Sequence, residues 1–307
     1  VLQLLYPEAL PGDLHLDEQA LDAAGSLRVG DLGAVRRVLA ALDGPSAPSP
    51  FLVRFGPEDL VDVDLGDRIM VLDRADNSVS EEIISRRCYE PGITAVVRRH
   101  LGPGMTFVDV GANVGYFSIL ASELVGPSGR VVAVEPSSEN CRLLLLSIEG
   151  NALDNVVLYP VGAGAERGWA HLSNHIGSNA SFVAAGGREL SRGYGTVVPV
   201  FPLDELVGGR VDMVKIDVEG AEGLAMVGAR RLIASERPVV VTEGSEEMLQ
   251  RVSAVSLEEY LGWFTAIGYR VFLVDSTGDG APVAVTVDEL MASWDDPLRI
   301  ANFLLLP

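Results

Sequence analysis

From Gly104 onward, short apolar runs alternate with longer stretches of helical periodicity. The runs are TFVDV, RVVAVE, NVVLYPV, VDMVKID, RPVVVTE, YRVFLVD and, at the end, IANFLLLP. Continuous runs rich in Val, Ile and Leu read as strands buried on both faces, since a half-exposed strand would alternate apolar with polar. Between them, residues 114–124, 139–150, 221–234 and 257–267 read as helices. Strands separated by helices predict an α/β domain built on a mostly parallel sheet covered on both faces.

Upstream the pattern is weaker. Residues 1–44 read as modestly amphipathic helix, with Leu32, Val35, Leu39 and Leu42 at helical spacing after Asp31, a capping residue type. DGPSAPSP, residues 43–50, reads as a linker. In VDVDLGDRIMVL, the alternation of Val61, Val63 and Leu65 about a Gly66-Asp67 turn predicts a β-hairpin. Residues 1–90 are therefore expected to form a helical and hairpin cap, and residues 91–307 the main domain. Residues 163–203 read as a long irregular segment, and connections of that length are characteristically lids or binding insertions.

Composition narrows the partners. Forty-three acids against 23 bases give a net charge of −20. Such a surface repels phosphate backbones, so no nucleic-acid partner is expected. Only one lysine occurs, Lys215; every other basic side chain apart from histidine is arginine. Cys88 and Cys141 stand far apart, with neither metal spacing nor a disulfide framework, which points to a reducing interior. No apolar run approaches the roughly 20 residues needed to span a bilayer. The opening VLQLLYPEAL lacks the basic start and long apolar stretch of a signal peptide. A cytoplasmic protein with no membrane partner is the expectation.

The chemistry concentrates at strand ends. Four predicted strands finish in an acid: Asp109, Glu135, Asp217 and Glu243. Ligands of open parallel sheets bind beyond the carboxyl ends of the strands. Four like charges on that rim are costly unless a ligand with donors or positive charge offsets them. After Asp109 comes the loop GANVG, in which Gly111, Asn113 and Gly115 tolerate left-handed backbone. A dinucleotide fingerprint needs G-x-G-x-x-G, and here Asn113 and Tyr116 occupy the second and third glycine positions. S-adenosylmethionine has no phosphate; it offers a sulfonium, an ammonium, a carboxylate and two ribose hydroxyls. Glu135, 20 positions past Gly115, suits a bidentate grip on those hydroxyls. The rim favours the methyl donor.

FVDVGANVGYFSILA, VVAVEP, LDEL and VKIDVEGAE, in this order and spacing, resemble the FkbM-type methyltransferases, a branch of the class I S-adenosylmethionine-dependent enzymes. The resemblance runs from Tyr89 to Glu243, and the closing NFLLLP extends it to the end. It implies a Rossmann-like sheet of seven strands, mostly parallel, with the last strand antiparallel. It also implies that Asp109, Gly111, Asn113 and Gly115 line the methionine end of the cofactor, with Glu135 on the ribose. Gly162 and its neighbours would flank the adenine, and Tyr89, in CYEPG just before the core, would join the cofactor-binding residues. The family's association with O-methylation implies a small hydroxylated acceptor such as a sugar, a polyketide or another natural product.

Proton removal from the acceptor calls for a base, and the candidates are Asp217, then His175, then Glu243. His171 and His175 stand four apart in HLSNH, but no third ligand follows and the stretch lacks the glutamate of a zinc-protease helix, so no metal site is predicted. Glu219 reads as a helix cap or a site acid, Glu222 as helix surface, and Lys215 as an ion pair or a strand-end snorkel. Trp169, Phe182 and Tyr194 either line an acceptor pocket or tack the lid down. Cys141 reads as a small buried hydrophobe and Cys88 as structural. A nicotinamide-dependent oxidoreductase and a non-catalytic scaffold on the same topology are the rival readings.

Overall fold

The computed structural model describes residues 2–3, 52–53, 60–66, 68–76, 78–176, 179–183, 195–278 and 281–307. Strand β1 (Leu2–Gln3) pairs antiparallel with β2 (Leu52–Val53). Leu2 and Gln3 are thus extended where the sequence suggested helix; the helical repeat at 31–42 and the linker at 43–50 lie outside the described residues. The hairpin forms as expected, from β3 (Leu60–Asp64) and β4 (Ile69–Asp73), with Gly66 at φ 104° in the turn. Helices α1 (Val79–Arg86) and α2 (Pro91–His100) lead into the main sheet.

That sheet begins with β5 (Thr106–Val110), α3 (Tyr116–Val125), β6 (Arg130–Val134), α4 (Ser138–Gly150) and β7 (Val156–Tyr159). Four strands of a second sheet follow: β8 (Gly162–Ala163), β9 (Gly168–Ile176), β10 (Asn179–Val183) and β11 (Gly195–Phe201). A short α5 (Leu203–Leu206) returns the chain to β12 (Met213–Ile216). Next come α6 (Glu222–Gly228), α7 (Arg230–Glu236), β13 (Val239–Ser245), α8 (Glu246–Ser253) and α9 (Leu257–Ala266). The chain closes with β14 (Arg270–Val274), β15 (Val283–Val285), α10 (Val287–Ala292) and β16 (Ile300–Leu306).

The strand order is β15-β14-β16-β13-β12-β5-β6-β7. Strands β13, β12, β5, β6 and β7 pair in parallel, and the last strand, β16, runs antiparallel between β13 and β14. The seven expected strands are all present, and three-residue β15 adds an eighth at the edge. Residues alternate between two cores. Phe107, Val131 and Ala133 face α3 and α4, while Val108, Val110, Val132 and Val134 face α6 to α9. Both faces are covered, which is why these strands read as unbroken apolar runs. The hairpin joins the first core through Val63, Met70 and Leu72. Ser147 Oγ and Asn151 Oδ1 on the α4 side accept the Val71 and Ile69 N–H groups at 2.9 and 2.8 Å.

Two expectations are corrected. Residues 221–234 form two helices, α6 ending at Gly228 and α7 starting at Arg230; an added methyl at Gly228 would lie 2.0 Å from the Gly164 carbonyl oxygen. Only a bare glycine lets the helix pass that close to the root of the lid. Within the segment 163–203, read as irregular, the described residues form a sheet ordered β10-β9-β11-β8. Its exposed Trp169 and Val197 break the inside–outside alternation that identifies a strand in sequence.

The chain leaves β5 toward β6 on one side and later returns to β12 on the other, so a topological switch point lies between β5 and β12. Ligands bind there in such sheets. Phe303, fully buried on antiparallel β16, belongs to the second core. Phe303→Ala should lower unfolding free energy by about 3–5 kcal/mol, the usual cost of such a truncation, measured by chemical denaturation.

Candidate functional site

A cavity of about 250 Å³ opens at that switch point. The first wall is the loop after β5. Gly111, at φ 81°, passes so close to β12 that an added methyl would lie 1.8 Å from the Asp217 carbonyl oxygen. Asn113 takes φ 51°, and its Oδ1 accepts the Val114 N–H at 2.8 Å, a local bond that helps hold the left-handed turn. Both residues line the cavity.

Glu135, one residue past β6, closes the second wall and is 5% exposed. Its Oε2 accepts the Asn113 N–H at 2.9 Å, and its Oε1 accepts the Ser137 N–H at 2.8 Å and the Asn140 amide at 3.4 Å. The carboxylate thereby ties the glycine loop to the start of α4. Burial pushes its pKa up to about 7 against the opposing pull of those N–H donors. No lysine or arginine pairs with it among the described residues. A buried carboxylate surrounded only by neutral donors is suited to accept further hydrogen bonds from ligand hydroxyls.

Acids from β12 and β13 make the third wall. Asp217, just past β12, accepts from Lys215 Nζ at 2.6 Å. Glu219 has φ 53°, lines the cavity, and is pushed up to about 7 by burial and then by the Asp217 charge. Glu243, within β13, is raised well above the usual carboxylate range, first by burial and then by Asp217 and Glu219. Beside Tyr89, Glu90 is pushed up to about 7 by burial, with Lys215 pulling the other way. Its Oε2 is buried without a hydrogen-bond partner among the described residues.

The structure brings together Tyr89, Gly111, Asn113, Glu135 and Gly162 with Asp217 and Glu243 around one cavity. Asp109 and Gly115 do not line it. Asp109 is buried beneath the loop, where its Oδ2 accepts from Ser118 Oγ at 2.6 Å and its Oδ1 has no partner among the described residues. Gly115 starts α3 at φ 92°, and an added methyl would lie 2.2 Å from Leu144 Cδ1, so helix packing demands this glycine. His175 falls on β9, but its side chain, like those of Phe182 and Tyr194, lies outside the described residues. His171 does not line the cavity, and Trp169 is 59% exposed on the lid.

Glu222 is not helix surface. It is 2% exposed, and its Oε1 accepts the Val218 and Gly220 N–H groups at 3.0 and 3.2 Å. Glu222 thus ties down the turn ahead of α6, whose N-terminus has no side-chain cap, and Glu219 lines the cavity. Asn140, Val218 and Leu172 also line it without having been anticipated. Asn140 had a readable signal, since the first turn after Glu135 places its amide within reach of that carboxylate. Leu172 had none, because the lid did not read as strand. Cys141 is fully buried, as expected, and its thiol donates to the Glu135 carbonyl oxygen at 3.1 Å. Among the described residues no group of three or more side chains could hold a metal ion, and no helix is long and apolar enough to cross a membrane.

Residues 109–271 match the family described as the methyltransferase FkbM domain. A curated relative, protein-L-isoaspartate O-methyltransferase 1 of Arabidopsis thaliana, is 31% identical over 94 residues, which is 28% of this chain and 40% of the relative. Among solved structures, a methyltransferase FkbM from Methylobacillus flagellatus KT is similar at 17% identity and a TM-score of 0.42, over 69% of this chain and 50% of that one. A putative methyltransferase from Streptococcus mutans, solved in complex with SAH, is similar at 9% identity and a TM-score of 0.40, over 69% and 94% of the two chains. The chain thus spans two fifths of the curated relative it matches and half of the first of these structures.

Four glutamates, Glu90, Glu135, Glu219 and Glu222, are pushed by withdrawal from water to pKa values of about 7 against an ordinary value of 4.5. Between those values the folded chain holds protons that the unfolded chain has released. These groups therefore remove stability as pH rises from about 4.5 to 7. The ligand-free protein should melt at a higher temperature near pH 5.5 than near pH 8, and Glu135→Gln should shrink the difference.

Proposed function

As the chain belongs to the FkbM methyltransferase family, whose cofactor is S-adenosylmethionine, we propose that it transfers a methyl group to a hydroxyl of a small molecule. One observation carries the reading: Glu135, buried and unpaired with any cation among the described residues, stands at the end of the second core strand beside the Gly111–Asn113 loop. The residues present fit the cofactor. Glu135 has acceptor capacity for two ribose hydroxyls, and Gly111 leaves bare backbone at the wall. Gly162 and Ala163 offer a small-residue surface where an adenine would lie flat. Asp109, just behind the loop, keeps one oxygen unpaired and adds negative charge beneath the methionine end.

A dinucleotide fits less well. Its pyrophosphate would come within the field of Asp109, Asp217, Glu219 and Glu243, and Asn113 and Tyr116 stand where the fingerprint needs glycine.

When bound, S-adenosylmethionine supplies an electrophilic methyl group. The chain's own part is to orient the acceptor and take its proton. Asp217, Glu219 and Glu243 line one side of the cavity, where carboxylates can accept from an acceptor hydroxyl. Asp217 is anchored by Lys215 and is the first candidate base. Glu243 ionises at lower pH once a cation lies beside it, and is the second cavity candidate. His175, on the lid, completes the set. Holding the reacting oxygen in line and excluding water supply much of the acceleration such reactions need.

A sugar, a polyketide or another natural product fits a cavity lined by hydrogen-bond acceptors. The net charge of −20 speaks for a small acceptor over a nucleic acid. The free cysteines, with Cys141 buried, fit a cytoplasmic setting. We also take residues 91–307 as the methyltransferase unit and residues 1–90 as its cap.

Glu135→Ala should weaken adenosylhomocysteine binding by roughly ten- to a hundredfold, given the worth of hydrogen bonds to a charged group, as read by calorimetry. Asp217→Asn should lower kcat by about a hundredfold or more, with the adenosylhomocysteine dissociation constant changed less than about threefold. Unaltered kcat would remove Asp217 from the chemistry. A protein that bound nicotinamide dinucleotide in preference would turn the reading to hydride transfer.

A further inference from the structure

The only lysine of the chain does not line the cavity, yet four groups of the site region converge on it. Lys215 is 3% exposed, on the central strand β12. In the sheet register it lies directly beside Asp109 of β5. Its ammonium donates to Asp217 Oδ2 at 2.6 Å and stands 4.7 Å from the centre of the Phe117 ring on α3. The Glu90 carboxylate, just ahead of α2, also faces it. Glu90 Oε2 and Asp109 Oδ1 are both buried without a hydrogen-bond partner among the described residues. One cation therefore serves three carboxylates from three separate elements.

An ammonium has three N–H donors and no acceptor. Burial alone would lower the lysine pKa, but Asp217, Glu90 and Asp109 outweigh it and raise the value above the usual range. The ring face of Phe117 adds cation–π attraction. A long polar side chain in a strand ordinarily reaches for solvent; this one stays under the cavity floor. Its surroundings make sense if its charge is used there.

We propose that Lys215 is the positioning residue of the site: it fixes the Asp217 carboxylate at the cavity wall and keeps Glu90, Asp109 and Asp217 from sharing protons among themselves. This rests on the methyltransferase reading, because what it positions is the acid wall that receives donor and acceptor. Without the ammonium, the three carboxylates, Asp109 among them fully buried, would repel one another and take up protons until pH was high enough to ionise them. Glu219 and Glu243, which feel Asp217 directly, would titrate with them; Arg251 acts on Glu219 but is not among the charges acting on Glu90, Asp109 or Glu243.

Two experiments decide it. In Lys215→Met, the acid limb of the kcat profile should move up by at least about one pH unit. kcat near pH 7 should fall about tenfold or more and recover as pH is raised. Lys215→Arg, which keeps the charge, should hold the limb near its original position. A merely structural lysine would lower the melting temperature without moving the limb, and that outcome would overturn the proposal.

The second experiment needs no variant. Lysine carrying ¹³C at Cε gives one resonance in this protein, because there is one lysine. That resonance should stay in its charged position to about pH 11, move between about pH 6 and 8 as Glu90 titrates, and move again when adenosylhomocysteine is added. A signal that deprotonates below about pH 10, or one that ignores both pH and ligand, contradicts the proposal. If adenosylhomocysteine binds and the signal stays still, only the role of Lys215 fails. If adenosylhomocysteine does not bind at all, the methyltransferase reading falls and this proposal with it.

Discussion

The structure depends on a concentration of carboxylates, partly or fully withdrawn from water, at the switch point of its central sheet. Asp109, Glu135, Asp217, Glu219 and Glu243 reach the same region from β5, β6, β12 and β13, and Glu90 joins them from the segment before α2. Withdrawing carboxylates from water is expensive, and the cost appears here as pKa values pushed upward by burial. A fold maintains such an arrangement where a ligand completes it. Parallel strands deliver the acids to one rim, the glycine loop lets backbone approach closely, and a single ammonium offsets part of the charge from below.

Much of this was legible in the chain. The apolar runs gave the strands because each is covered on both faces, and a doubly covered strand has no polar alternation to confuse with a loop. The acids at Asp109, Glu135 and Asp217 were visible because they sit where such runs stop. What the runs could not show was depth. Asp109 and Glu135 both read as strand-end acids, yet Glu135, one residue past β6, faces the cavity while Asp109, still within β5, is buried beneath the loop, held by Ser118. Gly111 and Gly115 differ likewise: the first makes room against the Asp217 backbone, the second against Leu144.

Other features were hidden by their physical nature. Lid strands β9 and β11 carry exposed Trp169 and Val197, so their hydrophobic pattern does not report an inside and an outside. The places of Glu219 and Glu222 depend on the backbone between them: Glu219 adopts φ 53° and lines the cavity, while Glu222, three residues on, reaches back to the Val218 and Gly220 N–H groups. The need for glycine at 228 comes from the close approach of Gly164, more than 60 residues earlier in the chain, which no local propensity records.

The central claim is that this acid rim receives a cationic methyl donor, with Glu135 on its ribose. A crystal structure of the chain grown with adenosylhomocysteine tests it most directly. The account predicts the nucleoside in the switch-point cavity, both ribose hydroxyls on the Glu135 carboxylate, and the sulfur turned toward Asp217, Glu219 and Glu243. A ligand bound elsewhere, or a ribose that leaves Glu135 untouched, would contradict it.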